Sequence, residues 1–359
     1  MKCSLLPHFF ILFNMTNVLN GQIVNKESPE ETRGIETLAG AISETVEERF
    51  SNDEEGIARR DAHPKATGCA RAEFRLNAKL PIEWQTPLFQ PGKSYPAFIR
   101  YSNATGAVRP DEIPDARGMA VKLFDISGTT LINPDNRHHD FIFASDNKFF
   151  LNSLSEYFGF LGNRDEFLGN NPDILANIRE ATSFVLSSPL EKQYFSQVPY
   201  KLNDRVVKYS VKPCQAFGPG VVPENAGPDY LSNAMNRKLK TEEACFNFMV
   251  QFYVNDEVTP INNVMVAWNE SEAPFIKVGQ IIIPRQNTQS EKMLELCENV
   301  SYNPFHAIAE HEPIGAINRI RRVVYQSIAS LRRSLNQVPD FVMTSSDLPE
   351  PVGPTCNID

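Results

Sequence analysis

One face of a helical stretch near residue 320 carries a tyrosine together with two arginines. Arg321, Tyr325 and Arg332 are spaced by four and then seven positions, so at about 100° per residue they share one narrow helical stripe. A guanidinium beside a phenol favours the phenolate, and a phenolate is a hard anionic ligand for a metal ion. By itself the stretch is more typical of a surface helix rich in arginine, so its interpretation depends on a second group far upstream.

A histidine near residue 60 is the second candidate for chemistry. His63 follows Arg60 by three positions, in an Arg-Asp-Ala-His-Pro-Lys stretch. An imidazole can take up and release a proton near neutral pH. A lone histidine in a loop is nevertheless more often structural than catalytic. His138 and His139 lie among polar neighbours, and we expect both to be solvated loop residues.

The composition bounds the size and class of the protein. The chain has 359 residues, 42% of them hydrophobic, which is enough for one large domain or two small ones. A net charge of −9 argues against a nucleic-acid partner, and the lack of a glycine-rich phosphate-binding motif argues against nucleotide chemistry. No stretch approaches the run of about 18 apolar residues that a membrane-spanning helix needs, so we expect no membrane insertion.

The first 21 residues have the pattern of a secretory signal. Lys2 supplies a positive charge, a short apolar run follows, and cleavage is expected after Gly21. A cytosolic N-terminus is the alternative. Export fits three glycosylation acceptor sequences, at Asn103, Asn269 and Asn299. The sequence therefore predicts a secreted glycoprotein.

Five cysteines remain once that segment is removed: Cys69, Cys214, Cys245, Cys297 and Cys356. An odd number at wide spacing is not a disulfide framework, and the chain has no CxxC pair that would indicate zinc. One or two disulfides are compatible with this pattern, and the first choice is Cys214–Cys245.

Strand signals and helix signals occur in blocks along the chain. Strands are predicted at residues 73–78, 95–102, 119–124, 140–143, 206–211, 246–252 and 276–283. Helices are predicted at residues 36–50, after 171, around 291–297 and in the arginine–tyrosine stretch. This order indicates an α+β fold. We divide the chain into a signal (1–21), a polar N-terminal arm (22–58), one domain (59–336) and an irregular C-terminal tail (337–359).

Five short motifs, in order along the chain, resemble those of the catalases. They are Arg60…His63-Pro64-Lys65, Arg100-Tyr101-Ser102, Asp115-Ala116-Arg117-Gly118-Met119-Ala120-Val121-Lys122, Asp140…Phe149-Phe150 and Arg321…Tyr325. The resemblance runs from about residue 59 to residue 335. It implies an antiparallel eight-stranded β-barrel with surrounding helices that binds haem b. The chain is shorter than full catalases, and in this it is similar to the small catalase-related peroxidases and the coral allene oxide synthase.

The resemblance also implies roles for individual residues. His63 would move a proton between the peroxide oxygens, and Ser102 would hold its ring. Tyr325 would be the axial ligand of the haem iron, with Arg321 holding it as phenolate. Further cofactor contacts are implied for three propionate-binding arginines and for a pair of aromatic residues in the distal pocket: Arg60, Arg100, Arg332, Phe149 and Phe150. Packing in the core is the alternative for the two phenylalanines.

One position departs from the catalase pattern. Catalases place an Asn-Asn pair before the Phe-Phe pair, where this chain has Ala144-Ser145. Loss of an asparagine that orients peroxide would cost roughly 10²–10⁴-fold in acid–base efficiency. We therefore expect haem-dependent, peroxidase-like turnover of hydrogen peroxide or organic hydroperoxides. The alternatives are a hydroperoxide-rearranging enzyme of the allene oxide synthase type and a secreted haem-binding protein without turnover. Assembly into a homo-oligomer is compatible with the sequence.

Overall fold

The computed structural model describes residues 17–19, 22–24, 26–183, 185–216, 221–339 and 341–351. The strands in these residues are β1 (Asn17–Leu19), β2 (Gln22–Val24), β3 (Ala66–Leu76), β4 (Ser94–Asn103), β5 (Arg117–Phe124), β6 (His138–Ala144), β7 (Tyr194–Phe195), β8 (Tyr200–Leu202), β9 (Arg205–Pro213), β10 (Ala244–Phe252) and β11 (Ile276–Ile283). The α-helices are α1 (Pro29–Ser51), α2 (Leu154–Leu161), α3 (Arg164–Asn170), α4 (Pro172–Ala181), α5 (Tyr230–Thr241), α6 (Glu291–Asn299) and α7 (Ala316–Leu335).

Eight of the strands close into an antiparallel barrel. The sheet runs β10-β11-β3-β4-β5-β6-β7-β9, and a further pairing between β9 and β10 joins its two ends. The short β8 is attached to β9, and β1 pairs with β2 in a separate ribbon. The predicted α+β fold with an eight-stranded barrel is therefore confirmed.

Aromatic side chains fill the interior of the barrel. Every second side chain of strand β4 points into the barrel, and Tyr95, Ile99 and Tyr101 among these belong to the main core. Phe248 of β10 lies within 5.0 Å, centroid to centroid, of Phe74 and Phe141. A barrel of eight strands has an interior just wide enough for side chains to fill. The interior is thus packed, and a site for a large ligand must lie outside it.

The outer face of strands β3 to β6 is covered by helices. A second cluster of buried residues joins Phe98 and Phe124 of the barrel to Met293 and Leu296 of α6. Helix α7 contacts α1, and an ion pair joins its Arg332 to Glu298 of α6. The outward side chains of four adjacent strands therefore meet two helices, and any space left between them is a candidate pocket.

The predicted polar arm contributes a helix to the core. Its helical part was predicted at residues 36–50, and α1 begins earlier, at Pro29, because Ser28 caps it and proline is accepted in the first turn. Apolar residues of α1 recur at helical spacing and are buried: Ile35, Leu38, Ile42 and Val46. Ion pairs join Glu27 to Arg322 and Glu31 to Arg319, each at 2.7 Å. The arm thus packs along α7 and fixes its N-terminal half.

The two ends of the chain lie largely outside the described residues. Of the predicted signal, the structure describes only residues 17–19. In the predicted tail, residues 341–351 are irregular except for one 3-10 turn, Ser345–Asp347. No helix in the described part of the chain is long and apolar enough to cross a membrane.

Two disulfides are present among the described residues. Cys214–Cys245 joins the end of β9 to β10 and confirms the predicted pair. The second, Cys69–Cys297, joins β3 to α6 across 228 residues and was not predicted. Nothing in a linear sequence signals a pair at that separation, because the packing of α6 on the barrel brings the two cysteines together. Cys356 lies outside the described residues.

The expectation for His138 and His139 is wrong. Both lie on β6 and are only 5% and 1% exposed. Their polar neighbours indicate a loop, but the strand begins two residues earlier than predicted. The charge of the neighbouring Asp140 is compensated by two partners. Its Oδ1 accepts from Lys122 Nζ at 2.6 Å, and its Oδ2 accepts from His306 Nδ1 at 2.8 Å.

Breaking the pair between Lys122 and Asp140 should destabilise the fold strongly. Lys122→Met leaves a buried carboxylate without its main cation, and such losses cost about 3–5 kcal/mol. Lys238→Met is the matched control, because its pair with Glu242 is exposed on α5 and such pairs contribute about 1 kcal/mol or less. Urea unfolding measures both. Equal losses in the two variants would show that the buried pair contributes no more to stability than the exposed one.

Candidate active site

Three residues on neighbouring strands form a row on the outer face of the barrel. Ser102 of β4 is the cross-strand partner of Gly118 of β5, which is in turn the partner of Ala144 of β6. Cross-strand partners point to the same face of a sheet. The row is therefore one floor, on which a group from another part of the chain can rest.

His63 rests on this floor. Its Nδ1 lies 3.0 Å from Ser102 Oγ, and its backbone N–H donates to the carbonyl of Ala104. The backbone of His63 is left-handed, with φ +59°. This conformation costs a non-glycine residue about 1–3 kcal/mol and is concentrated at functional sites. The surrounding structure therefore holds His63 in a position that local preference would not select.

A glycine in the floor makes room for the imidazole. A Cβ atom at Gly118 would lie 2.7 Å from His63 Nδ1 and 2.8 Å from Ser102 Oγ. Both distances are shorter than non-bonded contacts allow. Only glycine lets the ring lie against the strand, so His63, Ser102 and Gly118 act as one geometric unit.

The imidazole is neutral near pH 7. Burial, followed by the charges of Arg100, Arg321 and Arg60, lowers the pKa of His63 to about 4. A neutral imidazole can accept a proton. Because Ser102 occupies Nδ1, the opposite ring nitrogen is the one that can exchange a proton with a small molecule. The arrangement therefore supplies a positioned base.

A cavity brings together residues that are far apart in the sequence. It lies between the outer face of β4 to β6 and α7, and six of the predicted site residues line it: Arg60, His63, Arg100, Ser102, Tyr325 and Arg332. Its other walls are mostly apolar, with Ala120 and Ile142 on the outer face of the barrel and Val324 and Ile328 from α7. Tyr325 and Arg332 of the helical stripe thus face the same space as the upstream histidine.

Tyr325 is accompanied by a fixed cation. Arg321 NH2 lies 3.4 Å from the Tyr325 hydroxyl oxygen, and the guanidinium lies 5.4 Å from the ring centroid. Asn318 Oδ1 holds the other side of the guanidinium at 3.2 Å. Burial lowers the pKa of Arg321, but Tyr325 and Tyr200 outweigh it and raise the pKa above the ordinary value. The guanidinium therefore stays charged beside the phenol oxygen.

Three arginines lie at the opposite end of the cavity, and two of them, Arg60 and Arg332, share the carboxylate of Glu298. Glu298 Oε1 lies 2.5 Å from Arg332 NH2 and 3.4 Å from Arg60 NH1. Arg100 NH2 donates to the backbone carbonyls of His63 and Pro64.

The charges of these arginines are poorly compensated. Arg100 Nε is buried and has no hydrogen-bond partner among the described residues. Burial and the nearby Arg60 hold the pKa of Arg100 well below its usual range, and the same two causes lower that of Arg332 to about 9. An excess of buried positive charge with a free donor is the electrostatic signature of an anion site.

Phe149 and Phe150 lie elsewhere. Their rings stack on each other at 5.0 Å and contact Tyr157 of α2, and neither lines the cavity. After β6 the chain leads away from the floor, so both rings lie outside the cavity. Tyr302 is an aromatic wall of the cavity instead. Sequence analysis did not single out Tyr302.

A second group of ligating side chains does not favour a metal. Candidate ligand atoms of His138, Asp140 and His306 lie within 4.8 Å of one another. Both oxygens of Asp140 are already occupied, however, by the Lys122 ammonium and by His306. A cation placed there would meet the positive charge of Lys122 in a buried site. This group is better described as a buried ion-pair network.

Comparison with known proteins identifies the fold. No protein-family model matches the chain. A fungal catalase superposes with a TM-score of 0.66 at 17% identity, over 84% of this chain and 64% of the catalase. The chain has the catalase-like fold. Catalase A from Saccharomyces cerevisiae gives a TM-score of 0.66 at 16% identity (84% and 66% covered), and a bacterial catalase gives 0.62 at 15% identity (87% and 63% covered).

One curated protein is similar in sequence. It is the linolenate 9R-lipoxygenase of Nostoc sp. (strain PCC 7120 / SAG 25.82 / UTEX 2576), which is 23% identical over 248 residues. The match covers 60% of this chain and 30% of the lipoxygenase. The chain thus spans under a third of that protein and about two thirds of each catalase. At these identities the comparisons establish the catalase-like fold.

Filling the floor beneath His63 should displace the imidazole. Gly118→Ala forces a methyl group against the ring, and overpacking of this kind costs about 1–3 kcal/mol. Gly40→Ala is the matched control, because a Cβ at that position of α1 meets no atom within 4 Å, and alanine in a helix gains about 0.5–1 kcal/mol over glycine. Urea unfolding and the NMR shift of the His63 ring protons report the difference. An unmoved His63 signal in Gly118→Ala would refute the geometric argument.

Proposed function

We propose that this chain binds haem b in the cavity and uses it to act on peroxides. The observation that carries the proposal is the meeting, in one cavity, of Tyr325 with its fixed cation, the neutral base His63 and a surplus of buried positive charge. The catalase-like fold supports the same assignment.

The residues present fit this cofactor. Three guanidinium groups against the single carboxylate of Glu298 leave two positive charges uncompensated, and haem b carries two propionates. The buried, unpartnered Nε of Arg100 offers a donor to one of them. Tyr325 supplies an oxygen ligand for ferric iron, as tyrosine does in catalases. Arg60, Arg100 and Arg332 would hold the propionates, and Tyr325 would hold the iron.

The chain itself would supply proton transfer and positioning. When bound, the haem iron provides the redox chemistry by which an O–O bond is split. His63 accepts the proton from one peroxide oxygen and returns it to the other, a transfer that contributes typically 10²–10⁴-fold in rate. Ser102 fixes the ring plane, and the apolar walls formed by Ala120, Ile142 and Val324 limit the access of water.

Peroxidase-like turnover of hydrogen peroxide or an organic hydroperoxide is the leading assignment. Ala144 lies in the floor beside Gly118 and has no side-chain donor, so the chain lacks at that position an amide that could polarise hydrogen peroxide. Rearrangement of an organic hydroperoxide is the second candidate. It is favoured by the same alanine and by the similarity to a protein named linolenate 9R-lipoxygenase. A haem binder without turnover is disfavoured, because it has no need of a strained, neutral histidine.

We also propose that the protein is exported and glycosylated. Two disulfides support this, since such bonds persist mainly in oxidising compartments. Asn269 is exposed and is available to a glycan, whereas Asn103 is buried, 2% exposed, and donates to Asp111.

Removal of the phenol oxygen should abolish haem binding or change its ligand class. Tyr325→Phe keeps the ring and deletes the proposed iron ligand, and Arg321→Ala should give a milder defect because the cation beside that oxygen is lost. Tyr302→Phe is the matched control, since this tyrosine also lines the cavity but carries no ligand role. Soret absorbance and haem content of purified protein decide the question. A native spectrum in Tyr325→Phe would contradict the assignment.

The distal residues should control turnover without controlling haem retention. His63→Ala should abolish peroxide consumption and leave haem bound. Because the pKa of His63 lies at about 4, turnover by the wild-type protein should be constant from pH 8 to about pH 5 and should fall as the ring becomes protonated below that. Ala144→Asn should raise hydrogen peroxide disproportionation by about tenfold, equivalent to roughly 1.4 kcal/mol off the barrier.

The outcomes separate the candidates. Unchanged turnover in His63→Ala would remove the proposed enzyme. A flat response in Ala144→Asn, together with rapid conversion of a fatty-acid hydroperoxide, would favour the rearranging enzyme. Loss of haem from His63→Ala would instead mean that the histidine helps to hold the cofactor.

A further inference from the structure

The Cys69–Cys297 disulfide stands beside all three arginines of the anion site. On the barrel side, Cys69 of β3 is the cross-strand partner of Arg100 of β4. The two side chains therefore lie next to each other on the outer face of the sheet. Cys69 is 1% exposed and Cys297 is 4% exposed, so the disulfide is part of the packed layer between barrel and α6.

On the helix side, the residues just after Cys297 hold the other two arginines. Arg60 NH2 donates to the carbonyl oxygens of Glu298 at 3.1 Å and of Val300 at 2.6 Å. Arg332 NH2 donates to the Glu298 carbonyl at 2.9 Å and to its Oε1 at 2.5 Å. Both guanidinium groups are thus oriented by the C-terminal end of α6, within three positions of the disulfide.

Helix α6 is short and is held against the barrel by a small set of apolar side chains. The helix spans only Glu291–Asn299, and it touches the barrel through the apolar residues Met293 and Leu296. Isolated helices of this length are marginal in water, and packing supplies most of their stability. The disulfide is the covalent bond that fixes the end of α6 against β3, and it therefore fixes the carbonyl groups to which Arg60 and Arg332 are bound.

We propose that the Cys69–Cys297 disulfide is a positioning element that aligns Arg60, Arg100 and Arg332 for a dianionic ligand. This inference rests on the proposed function, in which that ligand is the propionate pair of haem b. Reduction by a dithiol such as dithiothreitol takes two electrons and two protons, converts the cystine to two thiols and leaves the dithiol as a cyclic disulfide. The released end of α6 no longer holds the guanidinium groups in register, and affinity for the two carboxylates falls.

The second disulfide offers a matched control. Cys214–Cys245 joins β9 to β10, and its neighbours are Asn247 and Gln280 rather than any residue of the cavity. Its removal also deletes one cross-link, although that cross-link closes a loop of 31 residues and not of 228, and it leaves the arginines untouched.

The test measures haem affinity with and without the propionate charges. Wild-type apoprotein and the variants Cys69→Ser/Cys297→Ser and Cys214→Ser/Cys245→Ser are titrated with haem b and with haem b dimethyl ester, and the Soret band reports binding. The Cys69→Ser/Cys297→Ser variant should lose about tenfold or more in affinity for haem b, the size expected when a charge-assisted hydrogen bond is lost. Its affinity for the diester should stay unchanged, and the control variant should match the wild type with both ligands.

Two results would overturn the inference. An equal loss of affinity for both ligands would indicate general loosening of the fold, and an unchanged preference for haem b over the diester would show that the disulfide does not position the arginines. If the serine variant does not fold, the Cys214→Ser/Cys245→Ser variant is compared before and after reduction with dithiothreitol and alkylation, with far-ultraviolet circular dichroism as a check on the fold, because Cys69–Cys297 is then the disulfide left to reduce among the described residues. Failure of the wild-type protein to bind either ligand would instead reject the proposed function.

Discussion

The site depends on positive charge that the protein buries without neutralising it. Arg60, Arg100 and Arg332 lie between the barrel and α7 with Glu298 as their single paired carboxylate. Desolvating three guanidinium groups is costly, and the structure offsets part of that cost with backbone carbonyl groups at the end of α6 and at His63 and Pro64. What remains uncompensated is available to a ligand. The cluster therefore destabilises the fold, and under the proposed function it is the main source of affinity for an anionic ligand.

The histidine depends on the same charges and on the strand register. The arginines add to the burial that keeps His63 neutral, while the alignment of Ser102 with Gly118 gives its ring a place to lie. A shift of one position in the register would turn both floor residues to the other face of the sheet. The acid–base group and the anion site are thus two results of one packing arrangement, the contact of β4 and β5 with the segment before β3.

The sequence predicted the fold class, most of the strands and six of the residues that line the cavity. These features could be predicted because local patterns indicate them. The patterns are the alternation of side chains in β4, the helical spacing between Arg321, Tyr325 and Arg332, and motifs of a few residues. The failures required the three-dimensional packing. The pair Cys69–Cys297, the wall residue Tyr302 and the burial of His139 all depend on contacts between segments far apart in the chain.

Closure of the barrel between its first and last strands has a consequence for how the protein is made. Strand β3 pairs with β11, which is completed about two hundred residues later. Until β11 has been synthesised, the edge of β3 has no partner, and unpaired edges in slowly closing sheets invite association with other chains. Pairings this distant in sequence also fold slowly. Helix α7 follows β11 and supplies one wall of the cavity, so a growing chain has no complete cavity until α7 has been synthesised.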